Sequence, residues 1–278
     1  MPQDTGLSRS TIDKYYTSPS IVKECINLVT EHAPVKSGDL CIEPSAGNGS
    51  FIESIKRLFN EHLFIDIQPE HGEINQMDYL TMEQPEKRED RKIYVIGNPP
   101  FGRQSSLAIK FIKKSAEFCD IISFILPKSF KKQSLQKHFP KDFHLLHEYD
   151  IPDNSFIVDG DRHDVPCVFQ IWSKKDFNRE TPEKLIPIGY KFVKKTEDPD
   201  ISFRRVGVYA GTIDYETENK SFQSHYFIKF NKPLSDTKFK TLASIKYPSK
   251  ENTVGPKSIS KQELIEEFNK VFHRYNTR

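Results

Sequence analysis

Long apolar runs and paired cysteines are missing from this 278-residue sequence. No segment approaches the roughly 20 consecutive apolar residues that a membrane helix needs, and the N-terminal residues lack the apolar core of a secretory signal. The four cysteines lie far apart and form no Cys-x-x-Cys pair, which argues against structural zinc and against a disulfide scaffold. These absences predict a reduced, intracellular, cytoplasmic protein without a membrane segment or a metal site.

The sequence as a whole has no large excess of either charge, because 41 basic and 39 acidic residues leave a net charge of +2. The two parts of the chain nevertheless differ. Residues 1–173 carry 20 basic and 25 acidic residues, a net of −5, and residues 174–278 carry 21 and 14, a net of +7. This split predicts a domain boundary after Ser173 and a basic module that binds a polyanion such as nucleic acid. A solvated lysine-rich surface is the alternative.

Strand and helix patterns alternate through the first part of the sequence. Helical spacing of apolar residues is found at 17–33, 51–59 and 106–119. Apolar strand patterns are found at 39–44, 62–67, 92–97, 120–127, 143–152 and 164–172. The pattern predicts a doubly wound α/β sheet with one late reversed strand. Beyond residue 173, two strand patterns and a helix at 258–272, with a capping box at Ser260 and Glu263, predict a small α+β module.

A glycine-rich turn, SAGNGS, follows the first of these strands. Gly47 and Gly49 allow the backbone to approach a ligand at the carboxyl edge of the sheet, where open α/β folds bind ligands. The turn lacks the Gly-Lys-Ser/Thr of a phosphate loop and the third glycine of a dinucleotide site. Asp66 ends the next strand, where a carboxylate can hold ribose hydroxyls. Asp78 is placed to accept from an adenine amine, or alternatively caps a helix.

The motif Asn98-Pro99-Pro100-Phe101 ends the strand predicted at 92–97. Two prolines form a rigid turn without N–H donors, so their carbonyls remain available as acceptors. The Asn98 carboxamide adds a further acceptor, and Phe101 adds a flat apolar face. Acceptors that hold a planar amino group favour a localised nitrogen lone pair, which can attack an activated methyl group. An ordinary strand-ending turn is the alternative interpretation.

On these residues the sequence resembles the class I S-adenosylmethionine-dependent methyltransferases, specifically the gamma-type N6-adenine DNA methyltransferases. The resemblance covers about residues 14–172 and rests on three stretches: KYYTSP before the first helix, EPSAGNG, and the letter-for-letter match to Asn-Pro-Pro-Phe. It implies a Rossmann-like, mostly parallel seven-stranded sheet with S-adenosylmethionine as cofactor. The implied catalytic residues are Asn98, Pro99, Pro100 and Phe101. The implied cofactor-binding residues are Tyr16, Thr17, Glu43, Pro44, Ser45, Ala46, Gly47, Asn48, Gly49, Asp66, Ile67, Asp78, Tyr79 and Asn98.

The resemblance also implies how a nucleic acid would be held. A base in duplex DNA must leave the stack to be methylated, and Phe101 and Phe156 would then stack on it. Phe156 could instead belong to the core. Five lysines without an acid at 128–141 predict phosphate contacts, and the candidate residues are Lys128, Lys131 and Lys132. In the basic module, Arg204 and Arg205 are candidates for DNA contact, with His225 and Tyr226 beside them; the alternative is that this module only covers the sheet edge.

Several functions remain compatible with these observations. The sequence predicts methylation of adenine in DNA, with RNA adenine as the nearest alternative. Methylation of a protein glutamine uses a related motif, but tyrosine usually follows the prolines there. A nucleic-acid-binding homologue without activity is a further alternative, against which the intact Asn98 and glycines argue. An NAD oxidoreductase would leave the Asn-Pro-Pro-Phe motif without a role.

Overall fold

Two compact units make up the fold, one ending at Glu180 and one beginning at Thr181. The structure, a computed structural model, describes residues 15–276 and side chains as far as His273. Arg179 belongs to the first unit, because its guanidinium donates to the carbonyls of Gln136, Phe139 and Phe143 at 3.1, 2.9 and 2.6 Å. The segment after the last strand of the sheet is thereby tied to that unit.

The elements of the first unit alternate between strand and helix. In chain order they are β1 (Tyr16–Thr17), α1 (Pro19–His32), β2 (Leu40–Glu43), α2 (Ile52–Leu58), β3 (Glu61–Asp66), β4 (Asn75–Gln76), β5 (Ile93–Gly97), α3 (Ser106–Ala116), β6 (Ile121–Pro127), α4 (Gln133–Gln136), β7 (Phe143–Asp150), β8 (Phe156–Val158), β9 (Asp161–His163) and β10 (Cys167–Lys174). Short 3-10 turns lie at Tyr79–Thr81, Arg103–Ser105 and Lys128–Lys131.

Seven of these strands form one sheet in the order β4-β3-β2-β5-β6-β10-β7. Strands β4, β3, β2, β5 and β6 are parallel, and β10 runs antiparallel to both of its neighbours, β6 and β7. The predicted doubly wound sheet with one late reversed strand is therefore confirmed. The strand order reverses between β2 and β5, and open α/β sheets bind ligands at the carboxyl ends of the strands beside such a reversal.

The central strand β6 is buried on both faces, as its uninterrupted apolar sequence predicts. Ile121 and Ile125 point to the cluster that contains α1 and α2. Ile122, Phe124 and Leu126 point to the cluster that contains α3. Helices therefore cover both faces of the sheet, and their packing fixes the carboxyl edge where β2, β3 and β5 end.

A second, three-stranded sheet has the order β1-β8-β9, and the sequence analysis assigned no strand to any of the three. Strands β8 and β9 form a hairpin whose two turn residues, Asp159 and Gly160, have φ of 51° and 89°. Positive φ at both positions is typical of the tight turns that Asp-Gly favours between antiparallel strands. β1 pairs with β8 so that Thr17 faces Phe156. This small sheet fixes the chain just before α1.

The second unit is a four-stranded antiparallel sheet with helices. Its elements are β11 (Tyr190–Val193), β12 (Ile201–Arg204), β13 (Ile213–Asp214), β14 (His225–Phe230), α5 (Asp236–Ala243) and α6 (Lys261–Asn276), and its strand order is β11-β14-β12-β13. The predicted capping box is present, with the Ser260 amide donating to Glu263 at 2.6 Å and the Glu263 amide donating to Ser260 at 3.2 Å. The small α+β module is confirmed, although β11 and α5 were not predicted.

The long strand pattern after residue 200 is interrupted in the structure. β12 ends at Arg204, and a turn follows in which Gly207 and Gly211 have φ of 98° and 100°. A side chain at Gly211 would lie 3.0 Å from the Tyr247 ring. The two glycines thus divide the predicted strand into β12 and β13.

No helix within residues 15–276 is both long enough and apolar enough to cross a membrane. Over the same residues, no three His, Cys, Asp or Glu side chains are grouped so that they could hold a metal ion. All four cysteines are buried free thiols.

Candidate methyltransferase cleft

A cavity of about 450 Å³ opens at the carboxyl edge of the seven-stranded sheet. Its walls come from the ends of β2, β3 and β5, from the segment before α1, and from the start of α3. All the residues predicted to bind the cofactor line this cavity except Gly49, and so do the four residues of the Asn-Pro-Pro-Phe motif. The fold thus brings together residues that are up to about 80 positions apart in the sequence.

The glycine turn and Asp66 form one hydrogen-bonded unit. The amides of Gly47 and Gln68 donate to the two oxygens of the Asp66 carboxylate at 2.8 and 2.7 Å. Gly47 has φ of 53°, and a side chain there would lie 3.0 Å from the Tyr16 ring. The turn therefore needs glycine for its conformation and for the close approach of Tyr16. A carboxylate held by two fixed donors is ready to accept from the hydroxyls of a ligand without reorganisation.

Tyr16 is fixed across this turn. Its hydroxyl donates to Glu70 at 2.6 Å, and the Glu70 amide donates to the Gly47 carbonyl at 3.0 Å. Burial and the hydrogen bond to Glu70 raise the pKa of Tyr16, so the hydroxyl remains a neutral donor. These contacts couple β1 to the glycine turn.

Glu43 lies at the floor of the cavity with 2% of its surface exposed. Its Oε2 atom has no hydrogen-bond partner among the described residues. Burial, and then the negative charge of Asp66, raise the pKa of Glu43 to about 8. A buried carboxyl oxygen without a partner is costly, and a bound cationic or N–H donor group would supply the missing partner.

Replacement of Glu43 by glutamine is expected to remove part of the pH dependence of stability. The carboxyl has an ordinary pKa of 4.5 and a folded-state pKa of about 8, so the folded protein retains an extra proton between these values. Stability therefore falls as the pH rises through this window, by about 4 to 5 kcal/mol from this group. Urea unfolding should give similar free energies of unfolding for wild type and Glu43→Gln at about pH 5. At about pH 9 the free energy of unfolding should be higher for Glu43→Gln than for wild type. If the two proteins differed in free energy of unfolding by the same amount at both pH values, the assignment of a protonated Glu43 in the folded state would be contradicted.

An apolar wall lies beside Asp66 in the cavity. Ile67 and Met77 line it, although they are 64% and 42% exposed, and Phe111 lines it from α3. Tyr79 stacks on Phe111 at 5.3 Å and is fixed by a 2.7 Å hydrogen bond to Ser115. Large apolar side chains held open at a cavity are suited to a flat heterocyclic ring.

Asp78 lies at the edge of this wall and also caps the 3-10 turn Tyr79–Thr81. Its Oδ1 accepts from the Leu80 amide at 2.9 Å. The capping alternative is thus observed, and it is compatible with the position of Asp78 on the cavity wall, because a carboxylate has further acceptor capacity. The cofactor role of Asp78 stays a prediction.

The Asn98 side chain is oriented by the segment before α1. Its Nδ2 group donates to the Tyr15 carbonyl at 3.0 Å and to Thr17 Oγ1 at 3.3 Å. Both amide protons are thereby used, so Oδ1 is the atom left to accept from a ligand. Ser45 donates to the backbone carbonyl of Asn98 at 3.1 Å and ties the motif to the glycine turn.

The motif is followed by a backbone segment with unusual dihedral angles. Gly102, Gln104 and Ser105 have φ of 67°, 53° and 61°. Non-glycine residues in this region cost of the order of 1–3 kcal/mol each and cluster at functional sites. The Phe101 carbonyl accepts from the amides of Leu107 and Ala108 at 3.1 and 3.3 Å, which attaches the motif to the start of α3.

Some cavity residues were not identified from the sequence. They are Tyr15, Ser50, Phe51, Gln68, Glu70, Met77, Leu107 and Phe111. Met77 had a usable signal, because a large apolar residue directly precedes the predicted acid Asp78. Tyr15 acts through its backbone carbonyl, which the type of side chain cannot reveal.

Phe156 does not line the cavity in the described part of the chain. It is 1% exposed, belongs to the core cluster with α1 and α2, and contacts the edge of Tyr15 at 6.5 Å between ring centroids. This is the core position weighed as the alternative in the sequence analysis. Stacking on a base would require Phe156 to leave the core. Of the two phenylalanines predicted to stack on a base, Phe101 lines the cavity and Phe156 does not.

The lysine cluster after β6 is partly neutralised by acids that the linear pattern does not contain. Lys131 contacts Asp150 at 2.7 Å and Glu148 at 3.4 Å, and Lys128 lies 4.0 Å from Asp150. Lys132 also has an interaction partner. Phosphate binding by these lysines would therefore compete with ion pairs to β7.

Arg204 and Arg205 in the second unit are held by local contacts. Arg204 lies over the Tyr209 ring at 5.9 Å and donates to the Val206 carbonyl at 3.3 Å. Arg205 lies over the Tyr226 ring at 5.4 Å and donates to the Gln223 carbonyl at 2.7 Å. His225 is buried, and burial lowers its pKa. Contact of these residues with DNA stays a prediction.

Comparison with known proteins gives partial matches. A family model described as the EDM2 methyltransferase-like domain matches residues 59–184, which include the Asn-Pro-Pro-Phe motif. The protein ENHANCED DOWNY MILDEW 2 of Arabidopsis thaliana is 24% identical over 193 residues, which cover 62% of this chain and 14% of that protein. The chain therefore spans about one seventh of the length of this curated relative.

The solved structures to which this chain is similar include methyltransferases of different kinds. A Pyrococcus horikoshii protein described as a candidate RNA methyltransferase is 17% identical, with a TM-score of 0.48 over 61% of this chain and 92% of that one. The methyltransferase subunit of a type I restriction-modification system from Streptococcus thermophilus is 14% identical, with a TM-score of 0.46 over 60% of this chain and 46% of that one.

The doubly wound sheet, the cleft at its carboxyl edge and the match to the EDM2 methyltransferase-like domain agree with S-adenosylmethionine as the cofactor. The cleft fits this group in two respects. The Gly47 and Gln68 amides fix the Asp66 carboxylate in the cavity wall as an acceptor for hydroxyl groups, and the orphaned Glu43 oxygen provides an acceptor at the cavity floor. This agrees with the cofactor that the sequence resemblance implies.

Proposed function

We propose that the protein transfers a methyl group from S-adenosylmethionine to the N6 amine of adenine in DNA. The observation that carries the proposal is the orientation of Asn98, whose Nδ2 protons bond to Tyr15 and Thr17 and whose Oδ1 is left as an acceptor in the cofactor cleft. An exocyclic amino group supplies the N–H donors that such an acceptor binds. A hydroxyl or carbonyl substrate would use this acceptor less completely or not at all.

The residues of the motif would act by positioning and by fixed dipoles. Asn98 Oδ1 accepts one N–H bond of the amino group, and a backbone carbonyl of the Pro99-Pro100 pair accepts the other. Neither proline carbonyl accepts a hydrogen bond from another described residue. This arrangement concentrates the nitrogen lone pair along the direction away from the two acceptors.

The bound cofactor supplies a methyl group on a positively charged sulfur. The nitrogen lone pair would form the new N–C bond as the S–C bond breaks and S-adenosylhomocysteine leaves, and the nitrogen would then lose a proton. A carboxamide is too weak a base to take this proton, so it passes to solvent. Asp66, the glycine turn and the apolar wall at Ile67 would hold the cofactor, and Glu43 would meet its donor groups.

A base in duplex DNA must be extruded to reach Asn98. Phe101 lines the cavity beside the acceptors and supplies a ring face for the extruded base. Base–aromatic stacking contributes about 1–3 kcal/mol, which offsets much of the unstacking cost of a few kcal/mol.

The proposal is tested by an assay with labelled cofactor that offers duplex DNA, single-stranded DNA and RNA in parallel, followed by mass analysis of the nucleosides. Formation of N6-methyl-2′-deoxyadenosine from DNA is the expected result. Formation of N6-methyladenosine from RNA alone would move the proposal to RNA, and methylation of another group would overturn it.

We expect the second unit to contribute to nucleic-acid binding, because residues 181–278 carry 18 basic and 12 acidic residues, a net of +6. Lys194 and Lys195 are exposed at the end of β11. Replacement of both by glutamine in the full chain should weaken DNA binding about equally for all sequences and reduce the salt slope by about 2. Gel-shift titrations between about 50 and about 200 mM salt measure both quantities.

A matched control is available in the first unit, at the amino edge of the seven-stranded sheet, opposite the carboxyl edge that forms the cleft. Lys36 and Lys92 are also exposed, and their backbone amides donate to Asp39 just before β2. Their double replacement by glutamine removes the same charge far from the cleft. An equal loss of binding in both double variants would indicate a general charge effect and contradict a role for the second unit.

A further inference from the structure

Thr17 is 3% exposed and lies in β1, outside the seven-stranded sheet that carries Asn98. Its Oγ1 atom accepts from Asn98 Nδ2 at 3.3 Å. The resemblance to known methyltransferases implies a cofactor contact for this residue, whereas the contact in the structure is with the side chain of Asn98.

A carboxamide can be turned by 180° with little change in its shape, which exchanges its oxygen and its nitrogen. In one orientation Asn98 presents an acceptor to the cleft, and in the other it presents two N–H donors. The Tyr15 carbonyl and Thr17 Oγ1 both accept from Nδ2, at 3.0 and 3.3 Å. The Tyr15 carbonyl can only accept, so it disfavours the turned amide, which would place an oxygen against it, and the Thr17 hydroxyl adds a second hydrogen bond to the first orientation.

The small sheet β1-β8-β9 holds these two acceptors in place. Thr17 pairs with Phe156 across β1 and β8, and the Ser18 amide donates to the Ser155 carbonyl at 3.0 Å. Phe156 is buried and contacts the edge of Tyr15. Phe156 thus supports β1, because it pairs with Thr17 and packs against the Tyr15 ring.

We propose that Thr17 is a positioning residue that holds the carboxamide of Asn98 in the orientation favoured by the Tyr15 carbonyl, with its oxygen toward the substrate, and that this orientation selects an amino group. The expected effect on methyl transfer rests on the proposed function, whereas the orientation of the Asn98 amide can be tested without activity. Selection follows because an amino group brings N–H donors to the fixed oxygen, whereas a substrate carbonyl would face another acceptor.

The test compares Thr17→Val, which keeps the shape but removes the hydroxyl, with Thr17→Ser, which keeps the hydroxyl. We expect Thr17→Val to lower the single-turnover rate of methyl transfer about fivefold to tenfold, the effect of one lost hydrogen bond. Thr17→Ser should restore the rate to within about twofold. Affinity for S-adenosylhomocysteine, measured by calorimetry, should change less than about twofold in both variants.

A second measurement does not depend on activity. The side-chain amide resonances of Asn98 in a 15N spectrum are identified by their disappearance in Asn98→Asp. They should shift and exchange faster with solvent in Thr17→Val, and return to their original positions in Thr17→Ser. Absence of methyl transfer by the wild type would overturn the proposed function but leave this result to decide the orientation.

Three outcomes would overturn the inference. Equal losses of rate in the valine and serine variants would indicate a packing role. Loss of cofactor affinity as large as the loss of rate would return Thr17 to the cofactor. Unchanged Asn98 resonances in Thr17→Val would show that the amide is oriented by other contacts.

Discussion

Replacement of Asn98 by alanine is expected to reduce methyl transfer at least about a hundredfold while leaving cofactor affinity nearly normal. The variant loses the acceptor that holds the amino group, and loss of one preorganised group at a reacting centre typically costs a factor of about 100 to 1,000 in rate. The cofactor contacts of Asp66 and the glycine turn remain. Single-turnover transfer and calorimetric binding of S-adenosylhomocysteine measure the two effects separately.

The aspartate variant is the matched control for this prediction. Asn98→Asp keeps an acceptor oxygen in the cleft but has no Nδ2 protons for Tyr15 and Thr17. Its activity should therefore lie between those of wild type and the alanine variant. An alanine variant that loses cofactor affinity and transfer to the same extent would contradict the role given to Asn98.

Replacement of Asp66 by alanine is expected to have the opposite pattern. The carboxylate is fixed by the amides of Gly47 and Gln68 and would accept from two hydroxyls of the cofactor ribose. Hydrogen bonds to a charged group contribute about 1.5–3 kcal/mol each, so loss of the two bonds should lower the affinity for S-adenosylhomocysteine by at least about a hundredfold. The glycine turn also loses an anchor, because the Gly47 amide is left without its acceptor.

Asp153 provides the comparison for this variant, since it is exposed and outside the residues that line the cavity. Asp153→Ala removes one negative charge from the same unit and should bind S-adenosylhomocysteine like the wild type. Transfer by Asp66→Ala should recover at saturating cofactor. A rate that stays low at saturation would show that Asp66 acts in the chemical step and not in binding.

The seven-stranded sheet could be predicted from the sequence because its strands carry strong local signals. The apolar run of β6 requires cover on both faces, and the alternation with α1, α2 and α3 leaves few other topologies. The cleft could also be predicted, since the glycine turn, Asp66 and the motif at Asn98 each follow a strand. Strand ends of a parallel sheet meet at one edge, so these residues come together.

The small sheet that supports Asn98 could not be predicted with the same ease. β1 has two residues and β8 has three, and periodicity is not measurable over such lengths. The Asp159-Gly160 pair was the available signal for the hairpin. Without that hairpin, the aromatic Phe156 was assigned to a base, although it is packed in the core.

Charge patterns along the chain were also incomplete predictors. The lysine cluster after β6 contains no acid in sequence, yet β7 places Asp150 and Glu148 beside Lys131. Only the pairing of strands reveals such partners. The orientation of the Asn98 amide is a similar case, because its partners come from about 80 residues earlier.

The orientation of Asn98 Oδ1, the acceptor in the cleft, depends on the sheet β1-β8-β9. This sheet has only eight residues and is separate from the seven-stranded sheet. Small peripheral elements open locally with less free energy than the global unfolding of a domain. Warming would therefore disorder β1 and release the Asn98 amide while the seven strands remain assembled. Inactivation by heat is then expected to precede the loss of circular dichroism, with full recovery of activity on cooling.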